Sequence, residues 1–140
     1  MTEAPTFYPV LSYRDAQAAL DWLQEAFGFE QLFVTPGPDG SVAHAELGLG
    51  SGIVMLHTAA RDGVSRPADR RAAAQAVYVA VADPDAHCER ARAAGAEITR
   101  ELEDTGYGLR EYSARDPGGH HWHFGTYRPA PPEKESASRA

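Results

Sequence analysis

The sequence predicts an α+β fold: two βαβββ modules forming paired curved mixed sheets around a cup-shaped cavity, with the helices on the outside. Three observations lead there. A strand-like run at 6–12 precedes a helix-like stretch at 14–27 that closes at Gly28-Phe29-Glu30. A second apolar run at 76–82 passes through Asp83-Pro84-Asp85 into a helix-like stretch closing at Gly95-Ala96-Glu97. Short β-type runs follow each helix. Two sheets that face each other enclose space that side chains need not fill, so a small-molecule cavity is the first functional expectation.

Each element has a local reason. Ala16, Leu20, Leu23 and Phe27 make one apolar stripe at helical spacing, with Gln17, Asp21 and Gln24 off it. Asp15 caps the start of this helix, and Gly28 suits the left-handed turn at its end. The second helix starts at Asp83 with Pro84 in the first turn, where its missing N–H costs nothing. Its apolar face is small, made of Cys88, Ala91 and Ala94, and predicts close packing on a sheet. The strands are read at 29–34, 42–49 and 53–57 in the first module, and at 97–102, 109–115 and 120–127 in the second. Asp116-Pro117-Gly118-Gly119 supplies a hairpin turn. Alternation on the last strand puts Trp122 and Phe124 on one face, against a helix, and His121 and His123 on the other.

One domain at 1–127 is expected, with modules at about 6–57 and 75–127 joined by a surface linker at 58–74 that holds a short helical turn at 68–74. The stretch 128–140 is rich in Pro, Ala, Ser and charge and reads as a disordered tail. No apolar run nears the roughly 20 residues that span a bilayer. The first five residues lack the basic start and apolar core of a secretory leader, so a cytoplasmic address is expected. A single cysteine, Cys88, has no internal partner, in keeping with a reducing compartment, and within a helix it reads as a buried, inert thiol. The formal charge of -7 argues against nucleic acid as a partner and leaves neutral or cationic small molecules as the easier ligands.

Four segments together resemble the vicinal oxygen chelate superfamily, which includes glyoxalase I, extradiol dioxygenases, fosfomycin-resistance enzymes and bleomycin-binding proteins. They are Tyr8-Pro-Val-Leu-Ser-Tyr-Arg-Asp15, Phe27-Gly-Phe-Glu30, Ala43-His-Ala-Glu-Leu-Gly48 and Arg115-Asp-Pro-Gly-Gly-His120. The resemblance implies a homodimer whose subunits complete each other's cavities. It also implies metal ligands, usually His and Glu, on the first and last strands of each module. Here the sequence departs from the pattern, because those positions hold Tyr8, Met55, Val77 and His123, and only His123 is a competent ligand for a divalent cation.

The reading that follows is a metal-free small-molecule-binding protein of the glyoxalase and bleomycin-resistance type, one that sequesters an antibiotic or a toxic metabolite. Its ligand-binding candidates are Tyr8, Val10, His44, Met55, His57, Val77, Glu111 and His123, with Val79 as a further wall residue. Glu111 and Ser113 face the ligand unless the strand slips by one residue, which would present Arg110 and Tyr112 instead. The alternative is a glyoxalase-class lyase or isomerase. It would use either an atypical divalent-metal site for Zn or Ni, drawn from His121, His123, His44, Glu46 and His57, or acid/base catalysis by His123 or His57. Trp22, off the helix stripe, is a core residue or a closing contact at a sheet edge or dimer interface. No phosphate loop, CxxC pair or Ser-His-Asp pattern is present in the sequence.

Overall fold

The computed structural model describes residues 5–59 and 75–129. The expected helical turn at 68–74 and most of the expected tail lie outside the described residues. The elements run β1 (Val10–Tyr13), α1 (Ala16–Phe27), β2 (Glu30–Pro36), β3 (Val42–Leu49), β4 (Gly52–Thr58), β5 (Ala76–Ala80), α2 (Pro84–Ala93), β6 (Glu97–Gly106), β7 (Leu109–Arg115) and β8 (His121–Gly125). This is βαβββ twice. Each module closes into a four-stranded mixed sheet, of order β1-β4-β3-β2 and β5-β8-β7-β6. In both, two hairpins bring the last strand back to lie parallel to the first.

The helix ends follow from their capping residues. Asp15 accepts from the Ala18 N–H at 3.1 Å and Asp83 from the Ala86 N–H at 3.1 Å. Gly28 takes the left-handed conformation at φ 84°, which costs a residue without Cβ nothing. β6 extends to Gly106, beyond the expected stop at residue 102. The polar Glu103-Asp104-Thr105 stretch hides this extension from an apolar-pattern reading, whereas cross-strand pairs such as Glu103 with Glu111 carry it forward.

Each helix covers one side of its own sheet, and the two helices also pack on each other. The Trp22 indole Nε1–H donates to the Ala94 carbonyl at 2.9 Å, and the Arg90 Nε–H donates to the Glu25 carbonyl at 2.8 Å. Phe27, fully buried at the end of α1, meets Trp122 edge-on at 5.3 Å and Phe124 at 4.7 Å between ring centroids. One hydrophobic core therefore runs through both modules. Trp22 serves as a bridge between them, which its position off the helix stripe left open.

Two polar devices tie the modules together. Asp116, 3% exposed, accepts from the Tyr13 hydroxyl at 2.7 Å and the Trp122 Nε1–H at 3.0 Å with one oxygen. Its other oxygen takes the Gly118 and His120 N–H groups, both at 3.0 Å. Burial first, then Asp116, hold the Tyr13 phenol well above its usual range, so it stays a donor. Within this turn residue 118 is a glycine, where a Cβ would meet the Tyr13 ring at 2.5 Å. The second device is His87. Its Nε2 lies 2.9 Å from the Phe27 carbonyl, which can only accept, so Nε2 carries the proton and Nδ1 accepts from the Tyr112 hydroxyl at 2.6 Å.

Asp116→Ala is expected to cost about 3 kcal/mol, because it leaves a buried hydroxyl and a buried indole N–H without acceptors, and Tyr13→Phe only about 1 kcal/mol. Equal losses in chemical denaturation would show that the carboxylate does not organise the turn. Burial pushes the His87 imidazole below its ordinary value, with Arg90 adding to the effect and the Phe27 carbonyl opposing it. The unfolded chain therefore binds the proton more readily. The stabilisation from neutral His87 is complete above about pH 6.5 and is lost as the pH falls from there through the folded-state value. Thermal midpoints from pH 8 to pH 5 are expected to fall less steeply for His87→Gln than for the unaltered protein.

Candidate functional site

Strand alternation gives each sheet a helix-facing side and an open side. On the first sheet the register pairs Val10 with Met55 and Ser12 with His57. It also pairs His44 with His57, and Glu46 with Met55. The opposite side carries Leu11, Tyr13, Ala45, Leu47, Val54 and Leu56, all buried in the core. The open side thus gathers Val10, His44, Met55 and His57 of the expected residues. Tyr8 lies two residues before Val10, where the Pro9 carbonyl accepts from the Met55 N–H at 2.9 Å, so pairing with β4 continues past the end of β1.

A bulge between Gln31 and Phe33 shapes the edge of this face. Phe33 comes into register with Glu46, and Leu32 lies 3.0 Å from where Gly48 would carry a Cβ. Large apolar groups stay in solvent here: Val10 is 56%, Leu32 50% and Phe33 54% exposed. Among them sit two polar pairs. Ser12 Oγ lies 2.9 Å from His57 Nε2, and His44 Nε2 lies 3.0 Å from Glu46 Oε2. The Ser12–His57 pair joins residues 45 apart in sequence and was not foreseen; only the parallel register of β1 and β4 makes it.

On the second sheet one row crosses four strands. Tyr78 pairs with His123, His123 with Ser113, and Ser113 with Arg100. Ser113 Oγ lies 2.6 Å from His123 Nδ1, and the Arg100 Nε–H donates to the same oxygen at 3.4 Å. Glu111, two residues before Ser113 on β7, is the ion-pair partner of Arg100, at 3.1 Å from its Nη2. Tyr112 is fully buried on the other side, which settles the register without a slip. Trp122 and Phe124 are likewise buried, and His121 and His123 take the open side.

Val77 and the further wall residue Val79 are the exceptions among the expected residues. They pair with Trp122 and Phe124 and pack against the core. β5 turns Ala76, Tyr78 and Ala80 to the open side, so a shift of one residue separates the sequence reading from the structure. The reason is that β5 has no charged residue on either side, and its composition gives a weak phase.

The structure also tests the metal-ligand pattern. Val10 and Tyr78 each lie five residues before a helix-capping aspartate, and their partners across the parallel pairing are Met55 and His123. Met55 and His123 are therefore equivalent positions in the two modules. With a thioether at one and tyrosine at residue 8, the donor set does not fit a divalent metal. Among the described residues no group of three or more His, Cys, Asp or Glu side chains is placed to hold one. Cys88 is buried in the core, and burial pushes its thiol up, away from nucleophilic character. A separate groove of about 410 Å³ opens between α1 and the Asp116–Gly119 turn, lined in part by Tyr13, Ala18, Trp22 and Pro117; none of the expected site residues lines it.

Two fused βαβββ modules, each a four-stranded mixed sheet with one side left open, define an α+β protein of the duplicated, paired-sheet class. The chain belongs to the Glyoxalase/Bleomycin resistance protein/Dioxygenase superfamily, whose model matches residues 7–124. It is 36% identical over 129 residues to an uncharacterised protein of Mycobacterium tuberculosis strain H37Rv, covering 86% of this chain and 74% of that one. Among solved structures it is similar to TioX from Micromonospora sp. ML1, at 35% identity and a TM-score of 0.71, covering 91% of this chain and 100% of that one. It is also similar to the bleomycin-binding protein of Streptomyces verticillus complexed with copper(II)-bleomycin. The identity there is 26% and the TM-score 0.61, covering 89% of this chain and 97% of that one. No helix among the described residues is long and apolar enough to cross a membrane.

The register makes a direct test of the two sides. Val77→Ala is expected to lower stability by about 1–2 kcal/mol through lost core packing, whereas Glu46→Gln on the open side should stay within about 0.5 kcal/mol. A silent Val77→Ala in thermal denaturation would show that β5 is turned the other way.

Proposed function

We propose that this protein binds a small molecule on the open faces of its sheets and acts by sequestration, as an antibiotic-binding or toxic-metabolite-binding member of its superfamily. The observation that carries the reading is the open face of the first sheet. Val10, Leu32 and Phe33 stand exposed there beside the Ser12–His57 and His44–Glu46 pairs, a mixture of apolar wall and orienting polar groups that suits a ligand. Likeness to the bleomycin-binding protein supports an antibiotic as the ligand class. The same exposed apolar groups support a homodimer in which a second copy of the chain helps enclose the ligand.

Binding of this kind needs no catalytic residue and no metal. A second reading, acid/base catalysis of the lyase or isomerase type, is favoured by one observation, the Ser12 hydroxyl 2.9 Å from a histidine nitrogen on an open face. Elemental analysis of protein purified without a histidine tag tests the other, metal-dependent form of the enzyme alternative: near-stoichiometric Zn, Ni, Mn or Fe would favour it over a binder.

Titration calorimetry against copper(II)-bleomycin and a panel of glycopeptide and aromatic antibiotics is expected to find a ligand, and His123→Ala to weaken that binding by about 1–2 kcal/mol with the fold intact. Silence across the panel would count against sequestration of this class. Light scattering after gel filtration is expected to give twice the chain mass, and a monomer at all concentrations would remove the shared-cavity form of the proposal.

A further inference from the structure

The proposed function leaves open what His123 offers a ligand, and the row behind it answers that. Arg100 is held by two carboxylates, Glu111 at 3.1 Å and Glu103 at 3.7 Å, and directs its Nε–H at Ser113 Oγ from 3.4 Å. A guanidinium has donors only and stays charged, so at this contact the Ser113 oxygen accepts. Ser113 is 4% exposed, and its own hydroxyl proton must find an acceptor inside the protein or go unsatisfied at a cost. His123 Nδ1, 2.6 Å from that oxygen, is its ring-nitrogen neighbour. If Nδ1 carried the imidazole proton, Ser113 would receive two donors and its buried proton would have no partner. If Nδ1 is bare, every group in the row is satisfied.

We infer that the Glu111–Arg100–Ser113 row fixes neutral His123 in the tautomer protonated on Nε2, making it a hydrogen-bond donor to the ligand. Arg100 and Ser113 are positioning residues that act through His123. The ligand class that this selects presents an acceptor, a carbonyl oxygen or an unprotonated ring nitrogen, at the centre of the second sheet. A protonated amine brings only donors to the same place and is discriminated against there. The same tautomer withholds the Nε2 lone pair from a metal ion and from a substrate proton, so His123 is neither a ready metal ligand nor a ready general base. This inference rests on the binding reading for its ligand class but not for the tautomer.

Long-range proton–nitrogen correlation spectra of the full chain, recorded at about pH 8.5, well above the ordinary imidazole value of about 6.5, read the tautomer directly. The expected result is a pyrrole-type Nε2 and a pyridine-type Nδ1 for His123. Ser113→Ala and Arg100→Gln should each move the two nitrogen shifts toward one another as the tautomers mix, and Ser113→Thr should restore the original pattern. A pyridine-type Nε2 in the unaltered protein would overturn the assignment, as would spectra that neither substitution changes. Benzamide and benzylamine then serve as acceptor and donor probes. Benzamide is expected to shift the His123 Nε2–H resonance and benzylamine to leave it in place; the reverse order would overturn the ligand class. If the tautomer is as assigned while the antibiotic panel is silent in calorimetry, the row stands and the sequestration reading fails.

Discussion

One buried carboxylate sets the relation between the two halves of this molecule. Asp116 accepts four hydrogen bonds, two from its own turn, one from Trp122 on β8 and one from Tyr13 on β1. A carboxylate taken out of water is costly unless its oxygens are matched by donors, and here both are. The same contacts that satisfy it fix the shape of the hairpin turn, seat the largest side chain of the core and hold the first strand of one module against the last hairpin of the other. His120 completes the seam. Its N–H reaches Asp116, its Nε2 lies 2.8 Å from the Ser12 carbonyl, and its ring tilts against Tyr13 at 4.7 Å. Covalent linkage through residues 60–74 keeps the modules near each other, but it is this seam and the Phe27 contacts that orient them.

Once the helix-facing sides share a core, the chemistry of the opposite sides is free to diverge, and it has. The first sheet presents apolar groups punctuated by two local polar pairs. The second presents a continuous polar row from Tyr78 to Arg100. Equivalent positions show the divergence most plainly: Met55 and His123 occupy the same place in the duplicated topology, one a soft apolar side chain and the other a hydrogen-bonding ring. A duplicated fold whose sheets have specialised in this way suits an unsymmetrical ligand, with an apolar region and an acceptor-bearing region. Overall acidity says little about such a site, because the charges that count are local. Arg100 is neutralised within the row by Glu103 and Glu111, and His123 on the open side is backed by a serine rather than by a bare charge.

The duplicated fold was legible because its markers are local. Asp15 and Asp83 cap, Gly28 turns, and Asp116-Pro-Gly-Gly makes a hairpin, whatever else the chain does. The side of each strand was legible where composition alternates, as it does from His121 to Phe124. It is not legible in β5, where Ala-Val-Tyr-Val-Ala offers no charged residue to set the phase, and the pattern puts Val77 on the wrong side of the sheet for that reason. Nor could sequence spacing reveal the pairs that only the tertiary fold creates. Ser12 meets His57 across 45 residues, and Tyr13 meets Asp116 across 103. Asp116 was visible as a turn residue, but nothing in a turn announces that its carboxylate will bridge two modules.

The two histidines with the best-defined surroundings show how the same side chain is put to opposite uses. His87 has both ring nitrogens engaged inside the protein, by a carbonyl that can only accept and a tyrosine hydroxyl that burial keeps protonated. It has nothing left to offer and serves the junction between α1 and the second sheet. His123 has one nitrogen engaged, by Ser113, and the other unassigned to any protein partner among the described residues. Burial and hydrogen-bond saturation, not residue type, separate the structural histidine from the one available to a ligand. The same criterion places His57 and His44 between these extremes. His44 has Nε2 held by Glu46 at 3.0 Å, and His57 has Nε2 2.9 Å from the Ser12 hydroxyl and Nδ1 3.4 Å from the Thr58 carbonyl, both on a part-buried open face.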